Sequence, residues 1–210
     1  MTQVKICGIT EEVALEAALA AGADFIGLVF YPPSPRNVSL EQAARLADMA
    51  RGQARIVALT VRADDALLEA IRDTVRPDHV QAHGDEPVER IAEIGRLTGC
   101  PVIRAFRLKG PDDLDRATAF LSHIAFPLFD AWHDKADLPG GMGKAFDWSW
   151  LAAWEGPFML AGGLTPENVA RAIAETGAPM VDVSSGVERA RGRKDPALIE
   201  QFIRRAKGIA

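Results

Sequence analysis

Two glycine-hinged turns near the C-terminal end of the chain hold the residues whose types and spacing point most directly to a chemistry. Gly162-Gly163 closes the apolar run Phe158-Met159-Leu160-Ala161 and leads into Leu164-Thr165-Pro166. Further on, Ser184-Ser185-Gly186 closes Met180-Val181-Asp182-Val183. Gly- and Ser-built turns that pass from strand to helix direct backbone N–H groups at one point, which suits a phosphate. Gly162, Gly163, Ser185 and Gly186 are therefore the expected phosphate-binding set.

Other polar groups end apolar runs. Cys7 ends Val4-Lys5-Ile6, and Gly8 turns the chain directly after it. Most free cysteines are small buried hydrophobes, but a thiolate at a strand end can be a nucleophile or a proton-abstracting base. Asp130 follows Ile124-Ala125-Phe126-Pro127-Leu128-Phe129. It is either a cap for the next segment or a desolvated general acid. Asp182, between Val181 and Val183, is a hydrogen-bonded structural acid or a substrate contact. Arg36, behind Pro33-Ser34-Pro35, is a solvated surface group or a stiffly held guanidinium that suits a carboxylate.

His79, Gln81 and His83 alternate with Val80 and Ala82, so period two puts the polar set on one face and aims His83 inward near the same mouth. No third ligand has a convincing spacing, so no metal is expected. The run Arg189, Arg191, Arg193, Lys194 reads as a solvated loop with a minor claim on anions. Cys100, which precedes its strand, reads as structural. Gly140-Gly141-Met142-Gly143-Lys144 lacks the residue order of a nucleotide loop and reads as a lid over a small substrate.

The elements that must position these groups alternate along the whole chain. Strand candidates begin near Val4, Asp24, Arg55, Asp78, Val102, Ile124, Phe158 and Met180, each followed by a helix candidate. Val169, Ala172, Ile173 and Thr176 share one helical face, as do Ile199, Phe202, Ile203 and Ala206; Leu67, Ile71 and Val75 repeat at i+4. Ser39 with Gln42 has capping-box spacing, and Thr165-Pro166 places an N-cap before a helix-starting proline. Alternating strands and helices with no linker predict one domain over residues 1–210, either an open doubly wound sheet or a closed barrel. Eight units in 210 residues favour the single-domain (β/α)8 TIM barrel, an α/β fold whose chemistry sits at the C-terminal ends of its strands. Two long loops, Phe30 to Val38 and Ala131 to Ala145, would lie at that face.

Bulk properties exclude several classes. A net charge of −5 argues against a nucleic-acid partner but not against an anionic metabolite. No apolar run reaches the ~20 residues of a membrane helix, and no secretory signal opens the chain. The two cysteines form no framework, which fits a reducing compartment. The expectation is a soluble, cytoplasmic protein without a membrane partner, monomer or homodimer, acting on a phosphorylated small molecule.

Taken in order, these segments resemble the phosphoribosylanthranilate isomerase family of tryptophan biosynthesis. The resemblance runs the whole length. It rests on Lys5-Ile6-Cys7-Gly8-Ile9-Thr10, Phe30 through Ser34-Pro35-Arg36, Val80-Gln81 with His83-Gly84, and Phe129-Asp130. It continues through Gly140-Gly141 with Gly143, Phe146-Asp147-Trp148, the Ala161-to-Val169 turn and Val181 through Glu188. It implies a (β/α)8 barrel without cofactor or metal that performs an Amadori rearrangement of N-(5-phosphoribosyl)anthranilate. By motif, Cys7 matches the general base, Asp130 the general acid, Arg36 the residue holding the anthranilate carboxylate, and the two glycine turns the phosphate cradle. His83 and Asp182 complete the expected substrate contacts. Ala82 and Met142 depart from the family pattern. The first should face the helices; the second falls in the glycine loop.

The competing readings are the histidine-pathway barrel that performs the same rearrangement, a ribulose-phosphate epimerase, and a non-catalytic phosphate-binding module. The first uses a strand-one carboxylate and two phosphate sites. The second wants metal ligands, and the third has no need of Cys7, Arg36 and Asp130 at one face.

Overall fold

The computed structural model describes residues 1–110, 112–131 and 148–209. Eight parallel strands close on themselves in chain order, β8 returning to pair with β1. They are β1 Gln3–Cys7, β2 Phe25–Phe30, β3 Arg55–Thr60, β4 His79–Ala82, β5 Val102–Leu108, β6 Phe126–Ala131, β7 Met159–Ala161 and β8 Met180–Val183. Each starts within two residues of its expected start. Around them lie α1 Glu12–Ala20, α2 Leu40–Ala50, α3 Asp65–Thr74, α4 Val88–Thr98, α5 Asp112–Thr118, α6 Val169–Thr176 and α7 Pro196–Lys207.

Strand periodicity sorts the side chains into two cores. Val4, Ile6, Ile26 and Leu28 point outward and pack with Leu15, Leu46, Ile199 and Phe202 of the helices. Phe25, Val57, Ile103, Phe126, Leu128, Met159 and Met180 fill the interior. Both faces of β2 are thus covered, which is why Phe25-Ile26-Gly27-Leu28-Val29-Phe30 is apolar throughout and wholly buried. Val80 and Ala82 of β4 meet Leu68, Ile91 and Ile94 beneath the helices, the side expected of Ala82. Inside, His79 stacks against Phe25 and Phe126, and burial pushes its imidazole pKa down.

Four local expectations need correction. The Ser39 side chain does accept the Gln42 N–H at 3.1 Å, but Gln42 reaches across to the Thr10 carbonyl instead of back to Ser39, so only half of a capping box forms. In α3 Ile71 and Val75 are buried with Leu67 half-buried against the same cluster, as their spacing expects, but the repeat leaves out Leu68, which is fully buried against β4 and α4. Thr165 accepts from the Glu167 N–H and Asn168 accepts from the Thr165 N–H, so the two residues cap a turn that becomes regular helix only at Val169. Finally, a helix does not directly follow every strand. Before β7 the described residues hold a 3-10 helix, Trp148–Ala153, and after β8 a turn at Ser185–Val187 leads into a hairpin, β9 Glu188–Ala190 and β10 Arg193–Lys194, before α7. The expected lid at Gly140-Gly141-Met142-Gly143-Lys144 and the segment Phe146-Asp147 lie outside the described residues.

Candidate active site

At the C-terminal ends of the strands one cavity of about 470 Å³ is lined by all nine expected site residues: Cys7, Arg36, His83, Asp130, Gly162, Gly163, Asp182, Ser185 and Gly186. Alternation explains the convergence. Cys7, Asp130 and Asp182 occupy inward positions on β1, β6 and β8, while Arg36 comes from the loop after β2.

Cys7 and Lys5 project inward from the same strand over Gly27, which pairs with Cys7 across the barrel wall. A Cβ at Gly27 would stand 3.0 Å from Cys7 Sγ and 3.2 Å from Lys5 Cε, so a side chain there would push both aside. Lys5 is completely buried, with its ammonium 3.0 Å from Asp182 Oδ1. Burial alone would neutralise it, but foremost the Asp182 carboxylate more than offsets that penalty, and its pKa lies above the ordinary value. Asp182 is thus the hydrogen-bonded structural acid of its first expected reading, and it also lines the cavity. For Cys7 the balance differs. Desolvation pushes the thiol up, Lys5 and Lys194 pull it down, and the net direction is upward, so the resting group is a thiol.

Across the mouth, Asp130 Oδ2 stands 3.4 Å from His83 Nε2. On its other side His83 Nδ1 lies 2.9 Å from the amide nitrogen of Gln81, which is fully buried inside the barrel. With Gln81 donating, Nδ1 accepts and the neutral ring carries its proton on Nε2, toward Asp130. Of the alternating set, Gln81 and His83 therefore hold the imidazole against the carboxylate, while His79 packs deeper in the barrel and takes no part.

The two glycine turns touch. Gly162 and Gly163 adopt φ of 89° and 63°. An ideal Cβ on Gly186 would fall 1.9 Å from the Leu164 carbonyl oxygen, so the second turn can pack this close to the first only with glycine there. On the loop after β2, Arg36 is 21% exposed and is gripped in bidentate fashion by Glu188, Nε to Oε1 at 2.6 Å and Nη2 to Oε2 at 2.9 Å.

The basic run after β8 is not the solvated loop its composition suggests. Lys194 is 2 % exposed and its ammonium reaches Glu188 Oε1, the Ser184 carbonyl and the Ser184 hydroxyl. The hairpin turns this one cation inward while Arg189, Arg191 and Arg193 alternate or turn outward. Glu188 and Lys194 are the residues that sequence reasoning missed. The available cue was Asp195-Pro196, a helix start that ends the basic run directly after Lys194. Cys100 lies where expected, between α4 and β5 and away from the cavity, its thiol on the Pro77 carbonyl. Among the described residues no three His, Cys, Asp or Glu side chains form a metal-holding group, and no helix is long and apolar enough to cross a membrane.

The family model for N-(5'phosphoribosyl)anthranilate (PRA) isomerase matches residues 4–205. An N-(5'-phosphoribosyl)anthranilate isomerase of Rhodopseudomonas palustris is 52% identical over 207 residues, spanning 97% of this chain and 95% of its own. One from Parvibaculum lavamentivorans is 48% identical over 210 residues, spanning 98% of each. The crystal structure of phosphoribosyl anthranilate isomerase from Thermotoga maritima aligns with a TM-score of 0.87 at 36% identity, over 99% of this chain and 100% of its own. A further phosphoribosyl anthranilate isomerase structure, in complex with reduced 1-(o-carboxyphenylamino)-1-deoxyribulose 5-phosphate, aligns with a TM-score of 0.86 at 34% identity over 99% and 100%. With the barrel and its mouth in place, these matches have one reading: the chain belongs to the N-(5'-phosphoribosyl)anthranilate isomerase family.

Proposed function

We propose that this chain catalyses the Amadori rearrangement of N-(5-phosphoribosyl)anthranilate to 1-(2-carboxyphenylamino)-1-deoxyribulose 5-phosphate, a step of tryptophan biosynthesis. The observation that carries the reading is a single cavity with a thiol and a carboxyl on well-separated strands, two glycine turns at one side and a clamped guanidinium at another. A substrate bearing a phosphate and a carboxylate can be anchored at both ends, leaving its sugar carbons between Cys7 and Asp130. Anchoring remote from the reacting atoms supplies orientation.

In this reading Asp130 donates a proton to the furanose ring oxygen, the C1′–O bond breaks, and the open chain carries a protonated Schiff base. That cation acidifies the C2′ hydrogen. Cys7 removes it as the base, giving an enolamine that tautomerises to the ketone. Because burial leaves Cys7 protonated at rest, the working fraction is the one in which the thiol has lost its proton, and the buried Lys5 ammonium favours that fraction. His83, with its proton facing Asp130, orients the acid. Gly162, Gly163, Ser185 and Gly186 hold the phosphate, Arg36 the anthranilate carboxylate, and Asp182 contacts the sugar side of the substrate.

The test is direct. Phosphoribosylanthranilate is generated in situ and the loss of anthranilate-type fluorescence is followed. Purified protein should accelerate that loss well beyond the uncatalysed rate; no acceleration would reject the assignment. The histidine-pathway aminoaldose phosphate serves as the second substrate in the same experiment, and turnover of that compound alone would reassign the site.

A further inference from the structure

Glu188 does not line the cavity, yet it is bonded to Arg36, which does, and to Lys194, which holds the cavity-lining Ser184. Its Oε1 accepts from Arg36 Nε at 2.6 Å and from Lys194 Nζ at 3.0 Å. Its Oε2 accepts from Arg36 Nη2 at 2.9 Å and from the Gly192 N–H at 3.1 Å. Two carboxylate oxygens offer about four acceptor positions, and all are used. Burial works against the charge of this carboxylate, but Arg36, Lys194 and the Gly192 N–H more than offset it and hold its pKa below the usual range.

The partners extend the network in two directions. The Arg36 backbone N–H donates to Ser34 Oγ at 3.1 Å, so the residue is held by its main chain as well as by its guanidinium. With Nε and Nη2 engaged, the edge of the guanidinium carrying Nη1 is left for a second anion, and Arg36 lines the cavity. Lys194 grips Ser184 by its carbonyl at 2.9 Å and its hydroxyl at 3.1 Å, directly before the Ser185-Gly186 turn. One buried carboxylate thereby links the guanidinium on the loop after β2 to the turn after β8.

We propose that Glu188 is a positioning residue for substrate selection: it fixes the orientation of Arg36 and, through Lys194, its separation from the Ser184–Gly186 turn, so that the site accepts a ligand carrying a carboxylate and a phosphate at one set distance. This rests on the reading of Arg36 and the glycine turns given above. A carboxylate that merely braced the β9–β10 hairpin would affect every ligand alike. One that aims Arg36 affects only the ligand that has a carboxylate to be held.

Two probes separate these roles: reduced 1-(o-carboxyphenylamino)-1-deoxyribulose 5-phosphate and the same compound without its ring carboxyl, titrated calorimetrically into wild type and Glu188→Gln. Wild type should prefer the carboxylated probe. In Glu188→Gln that probe should lose about tenfold or more in affinity, as expected for disturbing a charge-assisted bidentate contact, while the other loses less than about threefold. KM for phosphoribosylanthranilate should rise with kcat held within about threefold. Equal losses for the two probes, or none, would overturn the proposal. A wild type that does not distinguish the probes would instead overturn the reading of Arg36, and the role of Glu188 with it. If Glu188→Gln does not fold, Glu188→Asp keeps the charge but withdraws it by one methylene, and should show the same selective loss in milder form; unchanged selectivity in that variant overturns the proposal equally.

Discussion

Cys7 is protonated at rest because its burial outweighs the pull of two nearby ammonium groups. Its alkylation by iodoacetamide, measured in a Cys100→Ser background, should therefore keep accelerating with pH beyond the ordinary thiol value of ~8.5 instead of levelling there. A plateau below that value would show a resting thiolate. Replacing either proposed proton-transfer group, Cys7→Ala or Asp130→Asn, should lower kcat by about 10²-fold or more with the circular-dichroism spectrum intact. Wild-type turnover in the Cys7 variant would remove the thiol from the mechanism. Lys5 illustrates why the site is stable at all: Lys5→Met leaves Asp182 buried and unpaired, which should cost about 3–5 kcal/mol in urea unfolding. The double variant Lys5→Met/Asp182→Asn should recover much of that loss. Cys7, Asp130 and Arg36 were legible from sequence as strand-end or loop groups with two readings each. Lys5 was not, since a lysine inside an apolar strand has no signature of its partner, and that partner lies 177 positions away.

At the level of elements, the proposed phosphate end depends on two turns that touch. Gly186→Ala places a methyl against the Leu164 carbonyl, where it has no room. It should displace the Ser185-Gly186 turn and raise KM for the phosphorylated substrate by about tenfold or more, the loss of one or two charge-assisted contacts. An unchanged KM would show that this turn does not hold the phosphate. Helix starts were readable where a side chain meets the backbone nearby, as at Ser39. They were misread where a tertiary partner competes: Gln42 leaves the expected box because the Thr10 carbonyl is within its reach. The basic stretch after β8 shows the same limit. Composition describes a solvated loop, while hairpin pairing alternates its side chains and drives Lys194 into the protein.

For the whole molecule, barrel closure depends on the C-terminal helix covering the seam between β8 and β1. Phe202 and Ile199 on α7 are fully buried with Val4 and Ile6 of β1, and Lys207 reaches Asp24 beyond α1 at 2.8 Å. Phe202→Ala, remote from the mouth, should lower stability by about 3–5 kcal/mol by chemical denaturation while kcat of the folded fraction stays within about twofold. A large fall in kcat there would mean that α7 shapes the site as well as the core.

By itself the sequence determined the alternation of eight strands with helices, the side of β4 that faces inward, and the set of polar groups that end at one mouth. These follow from period two, period 3.6 and turn chemistry, all of which act between neighbours along the chain. Only the tertiary structure decided that Lys5 pairs with Asp182, that His83 orients on Asp130, and that Glu188 binds Arg36 and Lys194 together. Each of those contacts joins residues from different strands or loops. The choice of partner for a buried charge is made by which other charge the closed barrel brings within about 3 Å, since an unpaired one there costs several kcal/mol. The two glycine turns were visible from the start, but their contact exists only once β7 and β8 lie side by side.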